Sequence, residues 1–593
     1  MTDASKAVEA AKKALADAEA ALAAATEAAA TEAARAEQAQ AEQAQTESTG
    51  AAAKAAGTVA ADAPLDDERV ASIRAGYAME GAVLEMGALV NGEALPDVPV
   101  RIPIAMTNRH GLVAGATGTG KTKTLQVLAE QLSAAGVPVF AADIKGDLSG
   151  IAVAGSSSEK LLARTEGIGQ HWQATAHPTE FYCLGGIGHG VPVRATVSSF
   201  GALMLAKVLG LNQTQESSLG LVFHYADLNG LPLVDLTDLR AVIQFLTSPE
   251  GKADLAELGG LSKATAGVIL RELITFAAEG ADVFFGQPEF DTAEFLRTTS
   301  DGRGIVSLLE VPGVADKPAL FSTFLMWLLA DLFNDLPEVG DIDKPKLVFF
   351  FDEAHLLFKD ASKDFLAAIT QTVRLIRSKG VGIFFVTQTP KDVPADVLAQ
   401  LGSRVQHQLR AHTPDDQKAL RATVRTYPNS GYDLEEVLMG LGIGEAIVTV
   451  MNEKGAPSPV AWTRLRAPQG SMDPAPADVV TATVAASPLM ARYGQAIDPE
   501  SAHELLAARM NAAAEAEAAR EAAAQKDKAQ EEYEKALRDL QKKERTTTRT
   551  TARRSSKPAP GVGDTIGDLL GSRSGQTVIR EVVRGIFGTL GRR

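Results

Sequence analysis

The feature that most constrains this chain is "GATGTGKT", Gly115 to Thr122, set between the apolar run "GLVAG" and the apolar-periodic "KTLQVLAEQL". It fits G-x-x-x-x-G-K-[ST], with Gly115, Gly120, Lys121 and Thr122 in the fixed places. Glycines let backbone N–H groups turn inward, and a helix opening at Lys121 adds the positive end of its dipole at the same point. A cation placed where the backbone is least packed calls for a ligand as its partner. The pattern therefore predicts a phosphate cradle made of Gly115, Ala116, Thr117, Gly118, Thr119, Gly120, Lys121, Thr122 and Lys123. Lys121 is expected on the β- and γ-phosphates and the Thr122 hydroxyl on Mg²⁺.

Other apolar runs fit the same plan. "VPVFAAD" from 137, "GIVSLLEV" from 304, "KLVFFFDEA" from 346, "GVGIFFVTQ" from 380, "RVQHQLR" from 404 and "EAIVTVM" from 445 read as strands. Several are continuous rather than alternating, as expected of strands covered on both faces, so a mainly parallel, doubly wound sheet is expected. In "KLVFFFDEAHLLF", Asp352 and Glu353 follow five apolar residues at the carboxyl end of a strand. Asp352 is expected to hold the Mg²⁺ water shell, and Glu353 to act as general base on the attacking water. A capping pair at a strand end is the plainer alternative. His355, next to this pair, reads as a packed or capping residue. "VGIFFVTQTP" ends in Thr387 and Gln388. Gln388 either senses the γ-phosphate or satisfies loop backbone. Arg404, opening a strand, is the first candidate for an arginine that neutralises charge developing in hydrolysis, often across a subunit boundary, and Arg377 is the second. Each could equally be a surface ion-pair residue.

The stretch 155–300 breaks the rhythm with patterns such as "FGALMLAKVLG" and "TDLRAVIQFL", and reads as a mostly helical insertion between core parts at 65–154 and 301–470. Both ends differ in texture. Residues 1–60 form an Ala-rich arm, and 501–545 a charged helix whose thin apolar stripe (Leu505, Leu506, Leu537, Leu540) suits a solvated helix better than a coiled coil. Residues 546–563 read as a flexible basic linker, and 564–593 as a docking helix with Val578, Val582, Val583, Ile586 and Phe587 on one face.

With Lys plus Arg at 58 against Asp plus Glu at 74, the net charge is −16, so contact with nucleic acid has to be local; seven basic residues between Lys542 and Lys557 are the candidate patch. Cys183 is the single cysteine and has no internal disulfide partner. It is expected to be a small buried apolar group. The longest apolar run, Leu320–Phe333, is interrupted by Ser322, Thr323 and Asp331 and falls short of the ~20 residues of a membrane span. The N-terminus has no secretion-signal pattern, so a cytoplasmic location is expected.

Together "GATGTGKT", "LVFFFDEAHLLF", "GIFFVTQTP" and "SRVQHQL" with its following "DD" resemble the HerA/FtsK superfamily of ring-forming P-loop ATPases. "ADIKGDLSGIA" and "GQTVIREVVRGIFG" resemble, more narrowly, the bacterial HerA-like group called YjgR. The likeness covers about 70–470 and roughly the last thirty residues. It implies a RecA-like α/β core with ATP and Mg²⁺ as ligands, Lys121, Thr122, Asp352, Glu353 and Gln388 in the roles above, and Arg404 as a finger acting in trans. It implies homo-hexamers that move DNA or protein through a channel. One departure stands out: HerA proper carries a β-barrel module ahead of the phosphate loop, and between the Ala-rich arm and the loop only about 50 residues are available here, with no recognisable barrel pattern. ATP-dependent assembly of protein partners through the arms is the alternative function, and nucleotide binding without turnover a third. The letters "DEAH" also occur in RNA helicases, but no second lobe with a Q-x-x-G-R-x-G-R motif is present.

Overall fold

Every residue of "LVFFF", 347–351, is buried, and its side chains alternate between two separate cores. Phe349 and Phe351 face one cluster with Phe140, Phe385 and the helix Pro318–Asp335, while Val348 and Phe350 face the other with Phe384, Val386 and Leu125, Leu128 and Leu132 of the helix Lys121–Ala134. A strand apolar on both faces has to be covered on both, which explains the absence of alternation in its sequence.

The computed structural model describes residues 64–257, 260–310, 318–340, 342–358 and 363–551. The arm at 1–60 and the docking helix at 564–593 lie outside the described residues, as does the linker from 552 onward. The chain divides into two units, Met1–Leu506 and Ala507–Arg593.

The first unit holds a twelve-stranded sheet: β1 (Val83–Asn91), β2 (Glu93–Pro103), β3 (Gly111–Ala114), β4 (Val139–Asp143), β5 (Thr179–Leu184), β6 (Val191–Val193), β7 (Val306–Glu310), β8 (Leu347–Phe351), β9 (Val381–Thr387), β10 (Ser403–Gln406), β11 (Glu445–Thr449) and β12 (Ala461–Leu465). Their spatial order is β2-β1-β12-β11-β10-β3-β9-β8-β4-β7-β5-β6. From β10 to β6 all neighbours are parallel, and from β10 back to β2 all are antiparallel. This is the α/β, RecA-like arrangement expected, with β9 lying between the loop-bearing β3 and β8.

One expectation needs correction. The stretch 155–300 supplies helices such as Gln213–Leu228, Leu236–Thr247 and Lys263–Ala278, but also β5 and β6, which extend the sheet. Pro192 is tolerated in β6 because that strand is the sheet's last, where a missing donor breaks no ladder. Ahead of the phosphate loop, β1 and β2 form a hairpin closed at Asn91-Gly92, with Gly92 at φ +78°. It is not a barrel; it adds to the sheet through β12.

The apolar run at 320–333 lies in the buried helix Pro318–Asp335, and among the described residues no helix is long and apolar enough to cross a membrane. Cys183 is buried, and burial pushes its thiol up to about 11, which keeps it protonated and inert. The helix Ala502–Thr551 runs six residues into the expected linker, and every side chain from Ala507 to Lys542 is exposed.

The helix after the phosphate loop also grips the chain's later half. The Glu130 carboxylate accepts the N–H groups of Gln469 and Gly470 at 2.8 and 2.9 Å, and Gln126 donates to Ser471 O at 2.9 Å. Glu130→Ala should therefore lower unfolding free energy by about 2–3 kcal/mol in denaturant titrations, because one buried and one part-buried donor lose a charged acceptor.

Candidate nucleotide site

The loop Gly115–Gly120 leaves β3 at the carboxyl edge of the sheet. Gly115 N donates to Thr387 O at 3.2 Å and Ala116 N to Gln408 O at 2.8 Å, so both neighbouring strands fix its start. A side chain at 115 would bring its Cβ to 2.4 Å from His407 Cβ, and Gly120 adopts φ +107°. Neither position accepts another residue without movement. His407 is buried beneath the loop, its Nε2 2.9 Å from Thr124 Oγ1. Burial, with the Lys121 charge adding to it, pulls its pKa down to about 4, so it is neutral.

Lys121 Nζ reaches back to Ala116 O at 3.2 Å, as does Thr119 Oγ1 at 2.8 Å. Burial draws the ammonium below the ordinary lysine range, and Glu353 and Asp352 oppose that shift. Thr122 stands half-buried in the first turn of the helix, while Thr117 and Gly118 are exposed at the loop's tip. Lys123, expected in the cradle, turns instead to the carbonyl of Met472. Beside the loop opens a cavity of about 530 Å³ lined by Gly120, Lys123, Thr124, Arg164, Trp172 and Arg466, among others. Trp172 is fixed there by its Nε1 donating to Pro468 O at 2.6 Å.

Two strands away, β8 delivers Asp352 and Glu353 to the same edge. Burial first, and then the charges of Glu353 and Asp147, push Asp352 up to about 7, although the Glu353 N–H donates to its Oδ1 at 2.9 Å. A buried carboxylate raised this far fits a divalent cation, which binds the deprotonated form; Mg²⁺ needs few protein ligands beside phosphate and water. Thr122 and Asp352 are the residues that would hold it. Glu353 is non-glycine at φ +47°, its carboxylate paired with Lys145 through Oε1 and 3.2 Å from His355 Nδ1 through Oε2. His355, read as a packed or capping neighbour of the acidic pair, is half-buried beside the Glu353 carboxylate.

β9 ends between the two. Thr387 pairs in register with Ala114, and its hydroxyl donates to Asp392 at 2.8 Å, which leaves Gln388 exposed at the edge. The two arginines lie elsewhere. Arg404, opposite Leu112, sits at the amino end of β10, where it donates to Thr426 O at 3.0 Å and lies 6.0 Å from the Tyr427 ring centroid. Arg377 lies in the turn Arg377–Lys379 before β9, also at the amino edge. Within one subunit the structure brings Lys121, Thr122, Asp352, Glu353 and Gln388 to one edge and keeps Arg404 and Arg377 at the other.

Sequence reasoning missed Lys145 as a site residue. Its signal was a buried strand, "VFAAD", ending in charged "DIKGD" at the same edge.

The family profile described as helicase HerA-like C-terminal matches residues 89–593, from within β1 onward. The chain belongs to the HerA-like family. The DNA double-strand break repair helicase HerA of Saccharolobus solfataricus is 24% identical over 386 residues, 65% of this chain and 68% of that protein. A probable helicase of Methanocaldococcus jannaschii is 31% identical over 150 residues, 24% of this chain; the match spans 28% of that relative's length. The plasmid coupling protein TrwB, solved with a non-hydrolysable ATP analogue, overlaps 68% of this chain and 94% of its own at 16% identity and a TM-score of 0.46.

The Asp352 environment carries a pH signature in this HerA-like site. Cation binding displaces a proton below pH about 7, so Mg²⁺-dependent nucleotide affinity should weaken as pH falls from 8 to 6, approaching about tenfold per unit at the acid end. Calorimetric titration in Asp352→Asn should show that part of the slope gone.

Proposed function

We propose that this HerA-like chain hydrolyses ATP with Mg²⁺ in a ring of identical subunits, as a hexamer, and couples the cleavage to movement of DNA. One observation carries the reading: a phosphate loop, an acidic pair and a polar residue end three adjacent parallel strands, β3, β8 and β9, at one edge. Lys121 and the loop N–H groups hold the β- and γ-phosphates, and Thr122 and Asp352 hold the Mg²⁺, which when bound neutralises phosphate charge. The cavity beside Trp172 and Arg466 takes the nucleoside. Glu353 accepts the proton of the water that attacks the γ-phosphate, and Gln388 orients that water.

Arg404 supports an oligomer. At the far edge of its own sheet it meets no phosphate of its own subunit, so its contribution comes across a boundary. The DNA part rests on the likeness to the HerA DNA double-strand break repair helicases. A second reading, ATP-dependent assembly with protein partners, draws on the exposed helical face from Ala507 to Lys542 and on the net charge of −16. ATP turnover and particle size measured together, with and without DNA, separate the two: turnover indifferent to both single- and double-stranded DNA removes the first.

Glu353→Gln should keep ATP binding and cut phosphate release by ~10² or more, the usual contribution of a positioned base. Arg404→Ala should be equally impaired alone and regain part of its activity when mixed with Glu353→Gln, since a mixed interface joins one intact base to one intact arginine. Absence of recovery over a range of mixing ratios would assign Arg404 to the fold.

A further inference from the structure

The pairing of Lys145 with Glu353 is the feature the proposed mechanism leaves unused. Lys145 lies just past the end of β4, the neighbour of β8 on the side away from β9. Its loop is tied down: Asp143 accepts the N–H groups of Gly146 and Leu148 at 2.8 Å each, Ser149 donates to Gly146 O at 2.8 Å, and Gly146 turns at φ +72°. The backbone is fixed, but the Lys145 side chain is 53% exposed and crosses to a carboxylate that is 9% exposed. Glu353 is held in turn in a left-handed conformation that strains a non-glycine residue. Its Oε2 receives no well-aligned hydrogen bond. The ammonium on Oε1 competes with water for that oxygen. Lys121 approaches the same carboxylates from the loop on the other side, so the two lysines flank one anionic spot.

We infer that Lys145 is a positioning residue that clamps Glu353 in the absence of nucleotide and exchanges that carboxylate for the γ-phosphate of a bound triphosphate. The inference rests on the phosphate-binding reading above. The γ-phosphate offers more negative charge than one carboxylate, and the half-exposed lysine side chain loses little packing when it swings. The exchange frees the Oε1 of Glu353 beside the attacking water when the third phosphate is present. A diphosphate does not reach Lys145, and the clamp stays closed.

The test is a double-mutant cycle on the full chain with Mg²⁺, reading dissociation constants for a non-hydrolysable ATP analogue and for ADP. Glu353→Gln releases the lysine in advance, and should tighten the ATP analogue about tenfold, near the low end for a charge-assisted contact, while changing ADP by less than about twofold. In a Lys145→Ala background the same Glu353→Gln change should leave the analogue affinity within about twofold. Lys145→Gln, which keeps the length of the side chain, should repeat that result; at a half-exposed position both variants are expected to melt within a few degrees of the unmodified protein. If Glu353→Gln tightens the analogue equally with and without Lys145, simple removal of negative charge explains the gain and the clamp is refuted, while the phosphate site stands. If the unmodified chain binds neither nucleotide, the phosphate reading falls and the clamp falls with it.

Discussion

The structure depends on the double-sided burial of its central strands. With Phe349 and Phe351 packed on one face and Val348 and Phe350 on the other, β8 has no room for a charge along its length. Asp352 and Glu353 can stand only where the strand emerges, and the same holds for the polar end of β9 and the loop after β3. Parallel pairing then brings all three exits to one edge. β9 between β3 and β8 sets the lateral gap, so that the Gly115–Gly120 loop and the acidic pair face each other across this one strand. The cost falls on the acids: Asp352 is so poorly solvated that without a cation it holds its proton to about pH 7.

Much of this was legible because the strongest signals are local. The phosphate loop needs glycine where the backbone turns left-handed or where His407 presses against it, and the buried strands need unbroken apolar runs, so both leave marks within a few residues. What was not legible depends on partners far along the chain. β6 is three residues long with a proline, and β2 carries Pro96, Pro99 and Pro103; both survive as the outermost strands of the sheet, a position that no local pattern announces. Asn91-Gly92 is a local hairpin signal, but the residues immediately flanking it lack the alternation that would mark two strands as a pair.

The site shows the same division. Lys121, Thr122 and Asp352 follow from fixed spacing, whereas Lys145 is 208 residues from Glu353 and meets it through the parallel pairing of β4 with β8. The charged helix from 501 had the right element and the wrong end: its thin apolar stripe explains the exposure from Ala507 to Lys542, but the threonines and arginines beyond 545 do not stop it before Thr551. Propensity alone is a weak guide to where a solvated helix frays.

His407 directly follows β10 under the phosphate loop, and Arg404 lies near the start of that strand three residues earlier, roughly 10 Å away along an extended backbone. Since the imidazole fills the space beneath Gly115, any settling of the loop around a ligand bears directly on this short rod. One extended segment thus spans the sheet from edge to edge: the imidazole under the loop and the guanidinium at the far edge belong to the same short stretch of chain, with no turn between them.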